Sequence, residues 1–355
     1  MCVTLLRHFV TGSYALCTGN TLSETVYAAT GSQLSMASGR LSYVLGVEGR
    51  VASIDTACSS ALVALQIGLD RGGSIGGLSA ENESGSEGAD EGALVAAVSL
   101  MLTPMSTLWF ARAGMLSSRG RCSTFDALAD GYVRSEAVGA VTVGSGSHSM
   151  RISSCAVRSD GRSASLTAPN GSAQTRLIRA SLAAAGTSTL LLIEAHGTGT
   201  ALGDPTEAAS LERALPRGIF SHSSLASMGS SKASMGHAEP AAGLLGLLAL
   251  VCKCCQRDGG ANAQLRVLNR LLVTPMRGLR ANLPLQLLSL PRNVLLPAGI
   301  SSFGYSGTIA HAVLECVEAG PARAHFCLPP LTFRRRPAFT WRVSVARKAP
   351  TPHTG

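Results

Sequence analysis

Short apolar runs rich in β-branched residues alternate along the chain with longer stretches whose apolar positions recur at helical spacing. Val51–Thr56 reads as a strand. It leads into a helix from Cys58 to about Leu69 that carries Leu62, Leu65 and Leu69 on one face. Leu94–Leu102 and Ala137–Val143 are continuous enough to be buried strands, and Leu190–Glu194 and Val313–Cys316 are further strand candidates. Between them the pattern predicts helices over Gln174–Ala185, Pro205–Ala214 and Glu239–Lys253. The second opens with Asp204 at N-cap, Pro205 at N1 and Glu207 at N3, in the manner of a capping box. Strand–helix alternation with apolar strands predicts an α/β fold with layered, buried sheets. No repeat is visible in the sequence.

Two segments break this rhythm. Arg71–Gly92 (RGGSIGGLSAENESGSEGADEG) is rich in glycine, serine and acids and is expected to be a flexible surface insertion. Residues 318–355 are rich in proline and arginine and are expected to form a basic tail. That tail alters the meaning of the net charge of +9, because seven cations and no acid fall in the last 35 residues. The body is nearly neutral, so a nucleic-acid partner is not expected. At 355 residues, 46% hydrophobic and 14% charged, the chain can bury a large core and is not a disordered protein. Its longest apolar stretch, Ala241–Cys252, is too short for a membrane span and reads as a buried helix, and the N-terminus is weak as a signal peptide. The ten cysteines lack zinc-like spacing, so no metal site is expected, and reduced thiols in an intracellular compartment are the default.

Four short segments carry the chemistry. In DTACSSAL a strand runs through a tight turn of small residues into a helix at Cys58, where the helix dipole should favour thiolate and arm a nucleophile for acyl transfer. In EAHGTGT a strand ends at His196, and Thr198 and Thr200 follow with hydroxyls able to bond a polar arm. This loop lacks the lysine and spacing of a phosphate-binding P-loop. In GSSKASMGHAE a second histidine, His237, stands at a helix entrance that should keep it neutral, with Lys232 and Glu239 beside it. The turn GISSFGYSGT has backbone N–H groups that could face an oxyanion. Two neutral imidazoles suit stabilisation of an enolate better than the triad of a hydrolase.

In this order DTACSSALVAL, EAHGTGTALGDPTEA, SSKASMGHAEPAAGL and GISSFGYSGTIAHAVLE resemble the signatures of β-ketoacyl synthases, above all the ketosynthase domains of modular-type polyketide synthases. CSTFDALADGYVRSEAVGAV and DGRSASLTAPNGSAQTRLIRASLAAAG extend the likeness, and separations of 138 residues from Cys58 to His196 and 41 to His237 suit it. The resemblance implies a thiolase-like fold: two similar halves, each a mixed five-stranded sheet, in αβαβα layers, with the N-terminal half incomplete. One half would span residues 1–147 and carry Cys58, and the other would span 148–317 and carry both histidines. It further implies decarboxylative Claisen condensation without a bound cofactor. Cys58 would take an acyl chain from the phosphopantetheine thiol of an acyl carrier protein, and His196 and His237 would hold a malonyl thioester. By the same likeness Lys232 and Glu239 support the histidines, the backbone N–H groups of Cys58 and Tyr305 form the oxyanion hole, and Thr198 and Thr200 bind pantetheine. A homodimer is implied as well.

The chain departs from the family in several places. Ketosynthases carry a longer segment ahead of the nucleophile than the 57 residues here, so a fragment, or completion by another polypeptide, is expected. Ile309 replaces an asparagine, the 71–92 insertion replaces a short connection, and the Ala185–Glu194 link is short. A catalytically impaired partner protein or truncated relic is the competing expectation.

Overall fold

A computed structural model describes residues 2–7 (backbone only), 30, 33–70, 92–144, 150–215, 225–279, 281–291 and 295–316. The stretch weighed as a signal peptide beyond residue 7, nearly all of the 71–92 insertion and the basic tail lie outside the described residues.

The first sheet contains β1 (Cys2–Arg7), β2 (Val51–Ile54), β3 (Ala93–Ser99) and β4 (Ala137–Val143) in the order β2-β1-β3-β4. Its first three strands are parallel, and β4 runs antiparallel to β3. The second sheet contains β5 (Met150–Ser159), β6 (Leu192–Glu194), β7 (Ala226–Gly229), the two-residue β8 (Ala281–Asn282), β9 (Leu296–Phe303) and β10 (Thr308–Cys316), in the order β5-β10-β9-β6-β7-β8. Four described strands form the first sheet, whose half was expected to be incomplete, and six form the second, one more than the five expected. The chain adds the short β8 beyond β7.

The helices are α1 (Ser35–Leu45), α2 (Ser60–Leu69), α3 (Pro104–Arg112), α4 (Gly171–Ala184), α5 (Gly203–Ala214), the single turn α6 (Lys232–Met235), α7 (Ala242–Gln256) and α8 (Val273–Leu279). Helix α1 packs on β1 and β2, whereas α4 lies against β5 and β10 and packs on α5. Between the sheets lie α2 and α7, packed on each other. The order helix, sheet, helix pair, sheet, helix is the αβαβα layering expected. Leu62, Leu65, Val95, Leu192, Leu244, Leu247, Leu250 and Ile300 form one core cluster that joins both sheets through this middle layer. Burying such leucines contributes about 1.5–3 kcal/mol each. Helix α7 and the 3-10 turn before it, Glu239–Ala241, give an 18-residue helical stretch long and apolar enough to cross a membrane. It is nevertheless the core helix of the sandwich. A Cβ on Gly243 would sit 3.1 Å from Leu62 Cγ, so the glycine sets how closely α2 and α7 approach.

Helix boundaries differ from the sequence reading for local reasons. Helix α4 starts at Gly171 because the Asn170 side chain accepts the N–H groups of Ser172 and Ala173. Helix α2 starts at Ser60, so Cys58 lies in the turn before it rather than at its first position. The capping-box reading of α5 is also corrected: its N-cap is Leu202, without a side-chain cap, and Asp204 and Glu207 are turned inward.

Candidate active site

The Cys58 turn is held by small hydroxyls. Ser60 Oγ accepts the Thr56 N–H at 2.7 Å and donates to the Ala57 carbonyl, while Ser59 Oγ donates to the Thr56 carbonyl. Ala57 is left-handed at φ 55°, a conformation unusual outside glycine, and it presents Cys58 at the start of α2. From the far side, Ser302 Oγ donates to the Cys58 carbonyl at 2.6 Å. Gly304 lets the β9–β10 turn close over this loop, since a Cβ there would stand 2.5 Å from the Thr56 carbonyl oxygen. As a result the backbone N–H groups of Tyr305 and Cys58 both act on the Cys58 sulfur.

His196 follows the end of β6 and His237 follows the turn α6, and each is fixed by backbone hydrogen bonds. The N–H groups of His196 and Gly197 donate to the two carboxyl oxygens of Glu207 at 2.8 and 2.9 Å. Asp204 likewise accepts from Gly199 and Phe125. These carboxyls, read in the sequence as helix caps, in fact clamp the His196 loop. Burial raises them, Asp204 to about 6 and Glu207 to about 7. His237 is joined to the extended segment through Val133 and Ser135: its N–H donates to the Val133 carbonyl at 2.8 Å, and Ser135 N–H donates to its carbonyl at 3.0 Å.

These supports bring Cys58, His196 and His237 together. His237 Nε2 is 3.1 Å from Cys58 Sγ, and the two imidazole rings are 5.7 Å apart and nearly perpendicular. The tautomers follow from the other ring nitrogens. His237 Nδ1 accepts the Glu239 N–H at 3.2 Å, and His196 Nδ1 accepts the Phe303 N–H at 3.3 Å. A neutral imidazole that accepts at Nδ1 carries its proton on Nε2, so each ring offers an Nε2–H donor. Both histidines are held well below the usual 6.5, first by burial and then by the Lys232 charge, with Arg134 adding to the effect at His237. For His237 neutrality was expected from a helix terminus; burial and neighbouring cations are its main sources.

Cys58 corrects a second expectation. Burial pushes its thiol up to about 12, and the Glu239 carboxylate adds to that rise. The opposing influences of Lys232 and the two backbone N–H groups do not overcome it. The resting form is therefore the thiol. The thiolate expected from the dipole fails because the residue is desolvated and the helix begins two residues later.

Lys232 is buried beside the histidines, and Glu239 is buried and reaches His237 through its backbone N–H. Thr198 and Thr200 stand side by side, their hydroxyls 3.3 Å apart, and Thr200 also accepts the Gly203 N–H. Tyr305 is 37% exposed at the rim. The residue that sequence reasoning missed is Arg134, which forms a two-pronged ion pair with Glu239 at 2.6 and 2.8 Å. It lies within the DGYVRSEAV stretch but 105 residues from its partner, a separation that no local spacing rule connects. Nearby, a cavity of about 460 Å³ is lined by Met101, Leu102, Pro104, Leu116, Tyr132 and Arg134. Ile309, in place of the family's asparagine, is fully buried against Leu177 and Phe303, and the Phe303 ring faces His196 at 5.5 Å. Among the described residues no cluster of His, Cys, Asp and Glu could hold a metal ion.

Residues 8–72 and 83–148 match the N-terminal domain of β-ketoacyl synthases, and residues 150–257 match the C-terminal domain. The chain belongs to the β-ketoacyl synthase family. Residues 73–82, left out of that match, fall within the stretch expected to be inserted. This synthase chain is 38% identical over 314 residues to the mycoketide-CoA synthase of Mycobacterium tuberculosis, covering 84% of itself and 7% of that protein. It is also 37% identical over 302 residues to a pikromycin polyketide synthase component of Streptomyces venezuelae, covering 81% of itself and 8% of the relative. It thus spans only 7–8% of the length of these two relatives. Among solved structures it resembles an oxazolomycin ketosynthase domain of Streptomyces albus, with TM-score 0.75, 28% identity and coverage of 89% and 55% of the two chains. A ketosynthase from module 6 of the bacillaene synthase of Bacillus subtilis gives TM-score 0.73, 27% identity and coverage of 90% and 54%. The thiolase-like fold is shared with these ketosynthases.

Proposed function

We propose that this chain is a chain-elongating 3-oxoacyl synthase unit that joins a malonyl-type extender to an acyl group on Cys58 by decarboxylative Claisen condensation. The observation that carries this reading is the approach of Cys58 Sγ to within 3.1 Å of an Nε2–H donor, with a second such donor on the adjacent ring. In the first half-reaction the Cys58 sulfur attacks an acyl thioester. Its proton leaves with the departing pantetheine thiol, so no net charge is created. In the second, His196 and His237 donate to the thioester oxygen of a malonyl unit, and the enolate they stabilise forms as carbon dioxide leaves. The enolate carbon attacks the acyl–Cys58 carbonyl, whose oxyanion takes the N–H groups of Cys58 and Tyr305. Collapse releases the 3-oxoacyl thioester and, with one proton from solvent, restores the thiol.

Lys232 keeps the imidazoles neutral, and Thr198 and Thr200 bind the phosphopantetheine arm of an acyl carrier protein. The partners are that carrier, malonyl and acyl thioesters and a second copy of the chain. No cofactor takes part beyond the substrate arm. The setting in this reading is intracellular. The test is incubation of the chain with hexanoyl and malonyl N-acetylcysteamine thioesters. A 3-oxo-octanoyl thioester, formed together with carbon dioxide and absent with Cys58→Ala, is expected. Hydrolysis of the hexanoyl thioester without carbon–carbon bond formation would refute the assignment.

A further inference from the structure

We propose that Arg134 is a positioning residue for His237, acting through Glu239 to set which imidazole nitrogen carries the proton aimed at Cys58. The inference builds on the condensing reading above, although its main readout does not require turnover.

The chain of contacts is continuous. Arg134 Nε and Nη2 donate to the two carboxyl oxygens of Glu239 at 2.6 and 2.8 Å, and both side chains are under 10% exposed. A bidentate pair fixes orientation as well as position. Glu239 is a non-glycine residue in the left-handed region, φ 46°, a conformation that persists only when surrounding contacts impose it. That conformation directs the Glu239 N–H to His237 Nδ1 at 3.2 Å and so leaves the proton on Nε2, which is 3.1 Å from Cys58 Sγ. Arg134 is itself anchored at its remaining donor: Nη1 donates to Ser106 Oγ and Thr107 Oγ1 at 2.9 and 2.7 Å, and its guanidinium lies 5.2 Å from the Phe110 ring centre. The residues on either side of it, Val133 and Ser135, bracket His237 by backbone hydrogen bonds. Arg134 therefore reaches His237 by two routes, one through its side chain and one through its own backbone segment.

The other groups facing His237 are Cys58 from the nucleophile turn, His196 from the end of β6, Lys232 from α6 and Tyr132, whose ring is 4.9 Å away. Lys232 and Arg134 both disfavour the imidazolium. Removing the Arg134 cation takes away one of these influences and leaves the Glu239 carboxylate uncompensated next to the ring. Both changes favour imidazolium, so the acid limb of any His237-dependent rate moves to higher pH. A residue that served only to hold the fold together would lower stability without moving that limb.

The experiment is ¹⁵N NMR of the histidine-labelled chain across a pH series, alongside carbon dioxide release from a malonyl thioester. Wild type is expected to show His237 as the Nε2–H tautomer down to acidic pH. Arg134→Met should convert it to a mixture, shift its protonation upward by about one pH unit and slow carbon dioxide release about 100-fold. Arg134→Lys should recover part of the rate, because an ammonium keeps the charge without the two-pronged geometry. Because Arg134→Met strands a buried carboxylate, Arg134→Met/Glu239→Gln provides a folded control, in which the tautomer mixture should persist while the pH shift shrinks. An unchanged His237 tautomer and pH profile in a folded Arg134→Met or double variant would overturn the proposal. If wild type released no carbon dioxide while the tautomer still responded to Arg134, the condensing reading would fail and the positioning role would stand.

Discussion

The two sheets are variations on one plan. In the C-terminal sheet, β7, β6, β9 and β10 follow one another as two parallel pairings and one antiparallel pairing, and in the N-terminal sheet β2, β1, β3 and β4 repeat that order and those directions. In each half the first strand of that series leads into the middle layer, β2 through the loop with Cys58 and β7 through the segment carrying α6 and His237. The site forms where these equivalent loops meet. The halves differ in how completely they are covered. Every residue of β9 is buried, as is all of β10 except its first residue. No residue of β4 is fully buried, and Val138 on it is 74% exposed. In addition, β10 is flanked on its outer side by β5, whereas β4 has no such neighbour among the described residues. The C-terminal half thus reads as the rigid base that holds two imidazoles in register, and the N-terminal half brings Cys58 to them.

Chemical substitution should separate the two contributions most sharply. Cys58→Ala is expected to abolish acyl loading in an intact-mass assay, while Cys58→Gln keeps malonyl decarboxylation because both imidazoles remain. His237→Ala should invert this pattern, retaining acylation but losing about 100–1,000-fold in carbon dioxide release. Equal loss of both activities in either variant would mean that the halves do not divide the chemistry.

Stability should follow the difference in burial. Leu247→Ala, in the shared core on α7, is expected to cost about 2–5 kcal/mol in denaturant unfolding, whereas Val138→Thr on β4 should stay within about 0.5 kcal/mol. Similar costs would show that β4 is packed as tightly as the shared middle layer. Gly243→Val tests the joint between the halves. Its branched side chain would meet Leu62 and should cost about 1–3 kcal/mol, with activity falling more than stability as α2 is pushed away.

The smallest effect concerns pH. Burial depresses His196, His237 and His311, the last to about 4, so below about 6.5 the unfolded chain takes up protons that the native state refuses, and stability falls. Asp204 and Glu207 act in the opposite sense, because their raised values let the native state take up protons first as pH falls through about 7 and 6. His311→Leu should therefore reduce the acid-side slope of stability by up to one proton between pH 6.5 and about 4, without altering carbon dioxide release. An unaltered slope would show that His311 is already protonated in the native state.

Much of this was legible in the chain. Ala137–Val143 forms the strand its pattern predicts, although not the buried one expected, since its residues alternate between half-buried and exposed, and the apolar run after Glu239 became the buried middle-layer helix. Cys58, His196 and His237 stood out because each lies among small residues at the end of an element, two after strands and His237 at a helix entrance. What sequence could not supply was charge and contact across long separations. Burial, which reverses the expectation of a thiolate at Cys58, is a property of the assembled layers and not of DTACSSAL. Asp204 and Glu207 occupy plausible capping positions on α5, and only the fold shows them turned onto the His196 loop. The repeat of the two halves is likewise absent from the sequence, since strand order and direction can recur without any residue recurring.

The central claim is that Cys58 of one half holds an acyl thioester while two Nε2–H imidazoles of the other activate a malonyl thioester to attack it. The most direct measurement is peptide mapping by mass spectrometry after a short exposure to a hexanoyl thioester, followed by a chase with a malonyl thioester. A hexanoyl adduct on the peptide carrying Cys58 is expected, and it should vanish as 3-oxo-octanoyl product appears. An adduct confined to another cysteine, or one on Cys58 that malonyl thioester cannot discharge, would contradict it.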